Sequence, residues 1–132
     1  QGLHKILTYE KFGTYIQETK RQLRAFLLDA KRAGQRVAGY GAPAKATTLL
    51  NFCGIDAGLI EFTVDRNPHK QGHYIPGTQI PILDPEAISQ HRPDYVLILP
   101  WNLREEIVQQ LSDIRQWGGR FVLPIPEVRV LP

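Results

Sequence analysis

Gly39-Tyr40-Gly41-Ala42-Pro43-Ala44-Lys45 is the stretch that decides the fold. It follows a short apolar run at residues 36–40 and opens a helical pattern at 44–52, which Gly54 closes. A strand that ends in two closely spaced glycines and passes straight into a helix is the first turn of a βαβ unit. G-x-G-x-x-A is also the loose form of the dinucleotide-binding pattern. Gly41 would let the backbone approach a phosphate, Ala44 would allow tight helix packing, and the amides of the first helical turn would face the anion. Pro43 can start the helix, and Lys45 adds a mobile positive charge. This is not a Walker-type loop, because its glycine spacing and Lys-Ser/Thr pair are absent. By itself the stretch also fits a plain strand-to-helix turn with Lys45 in solvent.

Upstream, residues 8–33 read as an amphipathic helix. Phe12, Tyr15, Ile16, Thr19, Leu23, Phe26, Leu27 and Ala30 recur at three- and four-residue intervals, and Gly34 stops the pattern. Downstream, strands are expected at 60–64 and 80–83, the second at a sheet edge because Pro81 has no amide to donate. Between them, residues 66–79 carry Asn67-Pro68, two glycines and Pro76 with no period, which reads as a functional loop. Asp84-Pro85 opens a short helix towards His91. The continuous apolar run at 95–99 suits a central strand covered on both faces. Asn102 and Glu105 then form a capping-box-like start to a helix striped by Leu103, Ile107, Leu111, Ile114 and Trp117. Gly118-Gly119 ends that helix, residues 120–123 make a last strand, and Val128 and Val130 in the proline-bearing tail read as a packed edge segment.

The alternation predicts one α/β domain over residues 1–132: a Rossmann-like three-layer fold with a mainly parallel five-stranded sheet and an amino-terminal helix. A doubly wound order such as 3-2-1-4-5 would bring the glycine loop and Pro100-Trp101-Asn102 together across the switch-point crevice.

Composition fits this. The chain has 132 residues, 42% hydrophobic and 22% charged, enough for one globular core. Cys53 is the single cysteine, which excludes an internal disulfide and a cysteine-rich zinc site and points to a reducing, cytoplasmic setting. No apolar run is long enough for a membrane helix. The net charge of +3 comes without a long basic run or aromatic-basic repeat, so neither membrane nor nucleic acid is an expected partner. The chain lacks an initiator methionine and enters a helical pattern at once, so a fragment of a larger protein is expected.

Several residues have two readings. Asp65, 26 positions after Gly39 where the usual ribose-binding acid lies about 20 on, would accept from a ribose or sugar hydroxyl, or would bond its own turn. His69, Lys70, Gln71, His73 and Tyr74 would contact a polar ligand or a neighbouring domain, or face solvent. His69 and His73 lack the further ligands a metal needs. Trp101 and Asn102 would stack on and bond to a base or sugar, or pack and cap. Asp84 and Glu86 read as helix starters, and no catalytic triad or nucleophile elbow is present. From the residues alone, ligand binding is better supported than catalysis. An independent NAD- or nucleotide-binding domain and a structural interdomain module both remain open.

The glycine loop continued by Thr47-Thr48-Leu49-Leu50-Asn51 strongly resembles the carboxyl-terminal domain of SAM-dependent nucleotide-sugar C-methyltransferases. So do Val64-Asp65-Arg66-Asn67-Pro68-His69-Lys70-Gln71-Gly72, Pro76-Gly77, Pro93-Asp94-Tyr95, Trp101-Asn102 and Gly118-Gly119-Arg120-Phe121. The resemblance implies a parent enzyme of deoxysugar biosynthesis with a zinc-binding amino-terminal domain, a central SAM-binding domain and this third domain, which helps hold the nucleotide sugar. The zinc cysteines, the SAM motif and the catalytic base have no matching positions here. The resemblance therefore implies SAM and a structural zinc for the parent, no cofactor and no catalytic residue in this chain, and the central domain as its partner. Gly41, Ala42 and Lys45 are expected on the diphosphate, with Asp65, Tyr74 and Asn102 near base, ribose or sugar.

Overall fold

The computed structural model describes residues 2–132, with side chains described from residue 16 onward. Helix α1 (Gly2–Arg32) is followed by strand β1 (Val37–Tyr40), helix α2 (Ala44–Cys53) and strands β2 (Thr63–Val64), β3 (Tyr74–Ile75) and β4 (Ile80–Leu83). After these come α3 (Glu86–His91), β5 (Tyr95–Ile98), α4 (Arg104–Gln110), β6 (Arg120–Leu123) and β7 (Arg129–Val130). The sheet order is β3-β4-β2-β1-β5-β6-β7. Its five inner strands are parallel and run third, second, first, fourth, fifth in chain order.

The sheet has seven strands, two more than the expected five. Both additions are two-residue strands that pair antiparallel at opposite edges, β3 on β4 and β7 on β6. Strand β4 is therefore not an edge. Its outer side is covered by β3, drawn from the segment expected to be irregular, and Pro81 lies opposite Tyr74.

Alternation along the buried strands divides the core by face. Val37, Leu97, Leu99 and Val122 belong to a cluster with Leu23 and Leu27 of α1 and Ala46, Leu49 and Leu50 of α2. Ala38, Tyr40, Val96, Ile98, Phe121 and Leu123 belong to a second cluster with Ala87 and Ile88 of α3 and Ile107 of α4. The result is a three-layer α/β/α domain.

Gly34, Gly54 and Gly118 all have positive φ and end helical segments, as expected. Helix α1 begins earlier than its apolar period indicates. Of that stripe Thr19, Leu23, Leu27 and Ala30 are buried, whereas the side chains of Phe12 and Tyr15 lie outside the described residues. The helix expected from Asn102 to Trp117 is broken into a 3-10 turn (Trp101–Leu103), α4, and a second 3-10 segment (Ser112–Trp117). Ile107 and Ile114 still reach the core, but Leu103 is 46% exposed because the first turn is wound differently from the helix that follows. Asn102 does not cap that helix; its side-chain oxygen is bonded elsewhere. Asp84 does act as a cap, its Oδ1 accepting from the Glu86 amide at 2.9 Å. Among the described residues no helix is long and apolar enough to cross a membrane.

The amino ends of the strands are tied by charge. Arg36 donates through Nε and Nη2 to Glu61 at 3.0 and 2.7 Å and through Nη1 to the His91 carbonyl at 2.8 Å. Its backbone amide donates to Asp94 Oδ2 at 2.7 Å. The Arg36 hydrogen bonds hold the Glu61 carboxyl below its usual range against the opposing effect of burial. With its folded pKa depressed, Glu61 contributes stability above the unfolded value of about 4.3, and that contribution disappears as pH falls through the folded value. Both side chains are over two-fifths exposed, so it amounts to less than about 1 kcal/mol. Urea midpoints measured from neutral pH downward are expected to fall less steeply below about pH 4.3 in Glu61→Gln than in the parent; superimposable acid limbs would refute this.

Candidate functional site

Strand β1 is buried along its whole length between β2 and β5, and the chain leaves it through residues 41–43. Gly41 has φ +90°, its amide donates to the Val64 carbonyl at 2.6 Å, and its carbonyl accepts from the buried Thr63 hydroxyl at 2.7 Å. A β-carbon at Gly41 would stand 2.7 Å from Pro100 Cδ. The glycine is thus required by the close approach of the β5 exit to the β1 exit, and its amide is committed inside the fold.

The next amide, of Ala42, donates to Asp65 Oδ2 at 3.1 Å, while Asp65 Oδ1 accepts from the Asn67 amide at 2.9 Å. Asp65 therefore spans the β1 and β2 exits and occupies the loop amide with its own carboxylate. The turn after it folds back: Gln71 Nε2 donates to the Asp65 carbonyl at 2.8 Å, and Lys70 Nζ donates to the Ala42 carbonyl at 3.0 Å. Lys70 also lies 3.9 Å from Asp65 Oδ2.

No side-chain hydrogen bond caps the start of α2, where Pro43 stands in an extended conformation. One residue into that helix, Lys45 crosses the crevice. Its Nζ donates to Asn102 Oδ1 at 2.7 Å and sits 4.5 Å from the centre of the Trp101 ring. Trp101 packs in turn on both core clusters, so the ammonium rests on a fixed aromatic face. Asn102 serves this contact rather than a helix cap because the 3-10 turn aims it back at α2.

Five of the six expected residues, Gly41, Ala42, Lys45, Asp65 and Asn102, therefore surround the carboxyl ends of β1, β2 and β5. Tyr74 does not join them through any hydrogen bond or ring contact among the described residues. It lies on the edge strand β3, 60% exposed. The structure adds Thr63, which braces the loop. It also gives contacts at the loop to Lys70, read from sequence as a ligand or interdomain contact, and to Pro100, expected to meet the loop across the crevice. Thr63 acts through a contact between distant segments that no local pattern announces. Asn51 is another such brace: its Nδ2 donates to the Thr47 and Pro76 carbonyls, both at 2.8 Å, and pins the β3 loop to α2.

His69 and His73 are exposed, and no group of three or more His, Cys, Asp or Glu side chains among the described residues is placed to hold a metal. Cys53 is fully buried, and burial pushes its thiol above the usual range, so at neutral pH it is a protonated core side chain. The arrangement thus sets two ammonium groups at a polar crevice, and the Cys53 thiol is not an activated nucleophile.

Comparison with known proteins agrees with this architecture. The C-methyltransferase C-terminal domain family matches residues 1–126. The C-methyltransferase NovU of Streptomyces niveus is 40% identical over 131 residues, which is 99% of this chain and 31% of that protein. The chain thus spans about a third of the length of this curated relative. A solved UDP-D-quinovosamine 4-dehydrogenase from Vibrio fischeri shares the fold, with a TM-score of 0.50 and 17% identity over 74% of this chain and 93% of the other.

Gly41→Ala is expected to destabilise the domain by about 1–3 kcal/mol, since it adds left-handed strain and a clash with Pro100. Gly34→Ala is the matched control: φ is +74° there, with open space around the added carbon, so only the conformational strain applies. Urea denaturation should place the Gly41 variant below the Gly34 variant. Equal losses would mean that Pro100 gives way and the loop is not clamped.

Proposed function

The chain belongs to the C-methyltransferase C-terminal domain family, and on that premise we propose that it binds and positions a nucleotide-linked keto-deoxysugar for a SAM-dependent C-methyltransferase. The observation that carries the proposal is the Lys45 ammonium, held by Asn102 and Trp101 at the mouth of the switch-point crevice beside an uncapped helix start. Ligands of open α/β sheets bind at that place, and a diphosphate is the part of a nucleotide sugar that a mobile ammonium recognises.

In this reading Lys45 and the backbone from Gly41 into α2 face the diphosphate. Gly41 acts by letting the loop lie flat against Pro100 rather than by donating its amide. Asp65 and Asn102 each keep acceptor capacity beyond the bonds described and serve hydroxyls of the ribose or sugar. Tyr74 would reach the ligand from the β3 edge.

Methyl transfer to a carbon beside a keto group requires a base to take the proton and a methyl donor to receive the enolate. SAM, bound elsewhere in the parent, would supply that methyl group. This chain's contribution is orientation and exclusion of water, which lower the barrier without moving a proton. The single buried cysteine does not fit the family's zinc site, so the zinc too is assigned to another part of the parent. The central SAM-binding domain is then the partner that closes over the crevice, in a cytoplasmic enzyme, and the isolated chain has no methyltransferase activity.

Calorimetric titration with nucleotide sugars, nucleoside diphosphates, NAD and SAM tests the proposal. Nucleotide sugar should bind best, and Lys45→Ala should weaken it about tenfold, the loss of roughly one charge-assisted contact. Tighter binding of NAD or SAM than of any nucleotide sugar, or methyl transfer by this chain alone, would overturn it.

A further inference from the structure

We infer that Lys70 is the second cation of the anion seat, so that the seat takes a diphosphate with one ammonium for each phosphoryl group; this rests on the reading of Lys45 given above. The turn after β2 is built to return this side chain to the glycine loop. The Lys70 amide donates to the Asn67 carbonyl at 3.0 Å, Gln71 is tied to the Asp65 carbonyl, and the Gly72 amide reaches the Ile82 carbonyl at 2.9 Å. Bonds on both sides of residue 70 thus fix its backbone, and Lys70 Nζ comes to the Ala42 carbonyl on the β2 side of the β1 exit, while Lys45 crosses to Asn102 and Trp101 on the β5 side.

Neutralising Asp65 does not fully account for Lys70. The shortest bond of the ammonium is to a neutral carbonyl at 3.0 Å, whereas the carboxylate lies at 3.9 Å, beyond a hydrogen bond. An ammonium carries three donors, and the Ala42 carbonyl uses one. The side chain is 41% exposed, so the remaining donors have access to a ligand, while Asp65 is 16% exposed and held by two backbone amides. A nucleotide-sugar diphosphate carries one ionised oxygen on each phosphoryl group, a match in number for the two lysines. Lys70 and Lys45 thus flank the β1 exit, one beside the β2 exit and one beside the β5 exit. On this inference a bridged pair of phosphoryl groups engages both, whereas a single phosphate engages one.

The test uses the 132-residue chain, whose two buried clusters close both faces of its sheet. The probes are inorganic pyrophosphate and inorganic phosphate, titrated into the parent, Lys45→Ala, Lys70→Gln and Lys70→Arg, with thermal midpoints recorded for each. Glutamine retains a donor for the Ala42 carbonyl but removes the charge. Expected are an affinity for pyrophosphate about tenfold lower in Lys70→Gln at an unchanged midpoint, recovery in Lys70→Arg, and a pyrophosphate-to-phosphate preference that shrinks towards one without the charge at residue 70. If Lys70→Gln binds pyrophosphate like the parent while Lys45→Ala does not, Lys70 is only a brace and the inference fails with the Lys45 reading intact. If neither substitution changes binding, both fail. If Lys70→Arg restores the midpoint but not the affinity, the inference also fails.

Discussion

Everything at the carboxyl end of the sheet depends on the packing of Gly41 against Pro100. Strand β1 is enclosed by β2 and β5, so the chain must leave it where the β5 exit already presses in. A residue without a side chain, at φ +90°, resolves the crowding, and the buried Thr63 hydroxyl and Val64 carbonyl fasten the turn on the β2 side. Once the two exits are this close, a lysine one residue into α2 lies within hydrogen-bond reach of Asn102. A tight backbone contact thus fixes the position of a charge.

The same crowding changes what the glycine loop contributes. A loop that bound phosphate through its first amides would need them unpaired, but Gly41 gives its amide to Val64 and Ala42 gives its amide to Asp65. The Asp65 carboxylate keeps the loop ordered by joining the β1 and β2 exits. In the proposed reading, anion recognition falls instead to the Lys45 and Lys70 ammonium groups, which pair with anions more strongly than neutral amides do.

Much of the fold was legible because it obeys local rules. The strands at 80–83 and 120–123 appear with the bounds their apolar pattern gives, and Gly34, Gly54 and Gly118 stop helices through positive φ. The order of the parallel strands matches the doubly wound order expected by analogy rather than from any local pattern. The two-residue strands β3 and β7 were not legible as strands in the same way, since each exists only through its partner's unpaired edge, although Val128 and Val130 did mark the tail as packed. Asn102 was misread as a cap for a related reason. Its pairing with Glu105 is a local signal, whereas its bond to Lys45 joins residues 57 apart in sequence. The candidate site was legible in the residues that share motifs and in the meeting of the glycine loop with Pro100, and least so at Thr63 and Asn51, whose roles are set by distant contacts.

The two ends of the sheet divide the work. At the amino end Arg36 satisfies Glu61 and the His91 carbonyl, and Asp94 joins the Arg36 amide, so the charged groups there are spent on each other. At the carboxyl end charge is left in excess: Lys45 rests on a neutral amide oxygen and an aromatic face, and Lys70 bonds most closely to a carbonyl. Both ammonium groups thus have neutral acceptors as their nearest partners, which are weaker contacts than charged acceptors would give. The cations at this end are held by neutral groups, while the two buried clusters supply the rigidity that positions them.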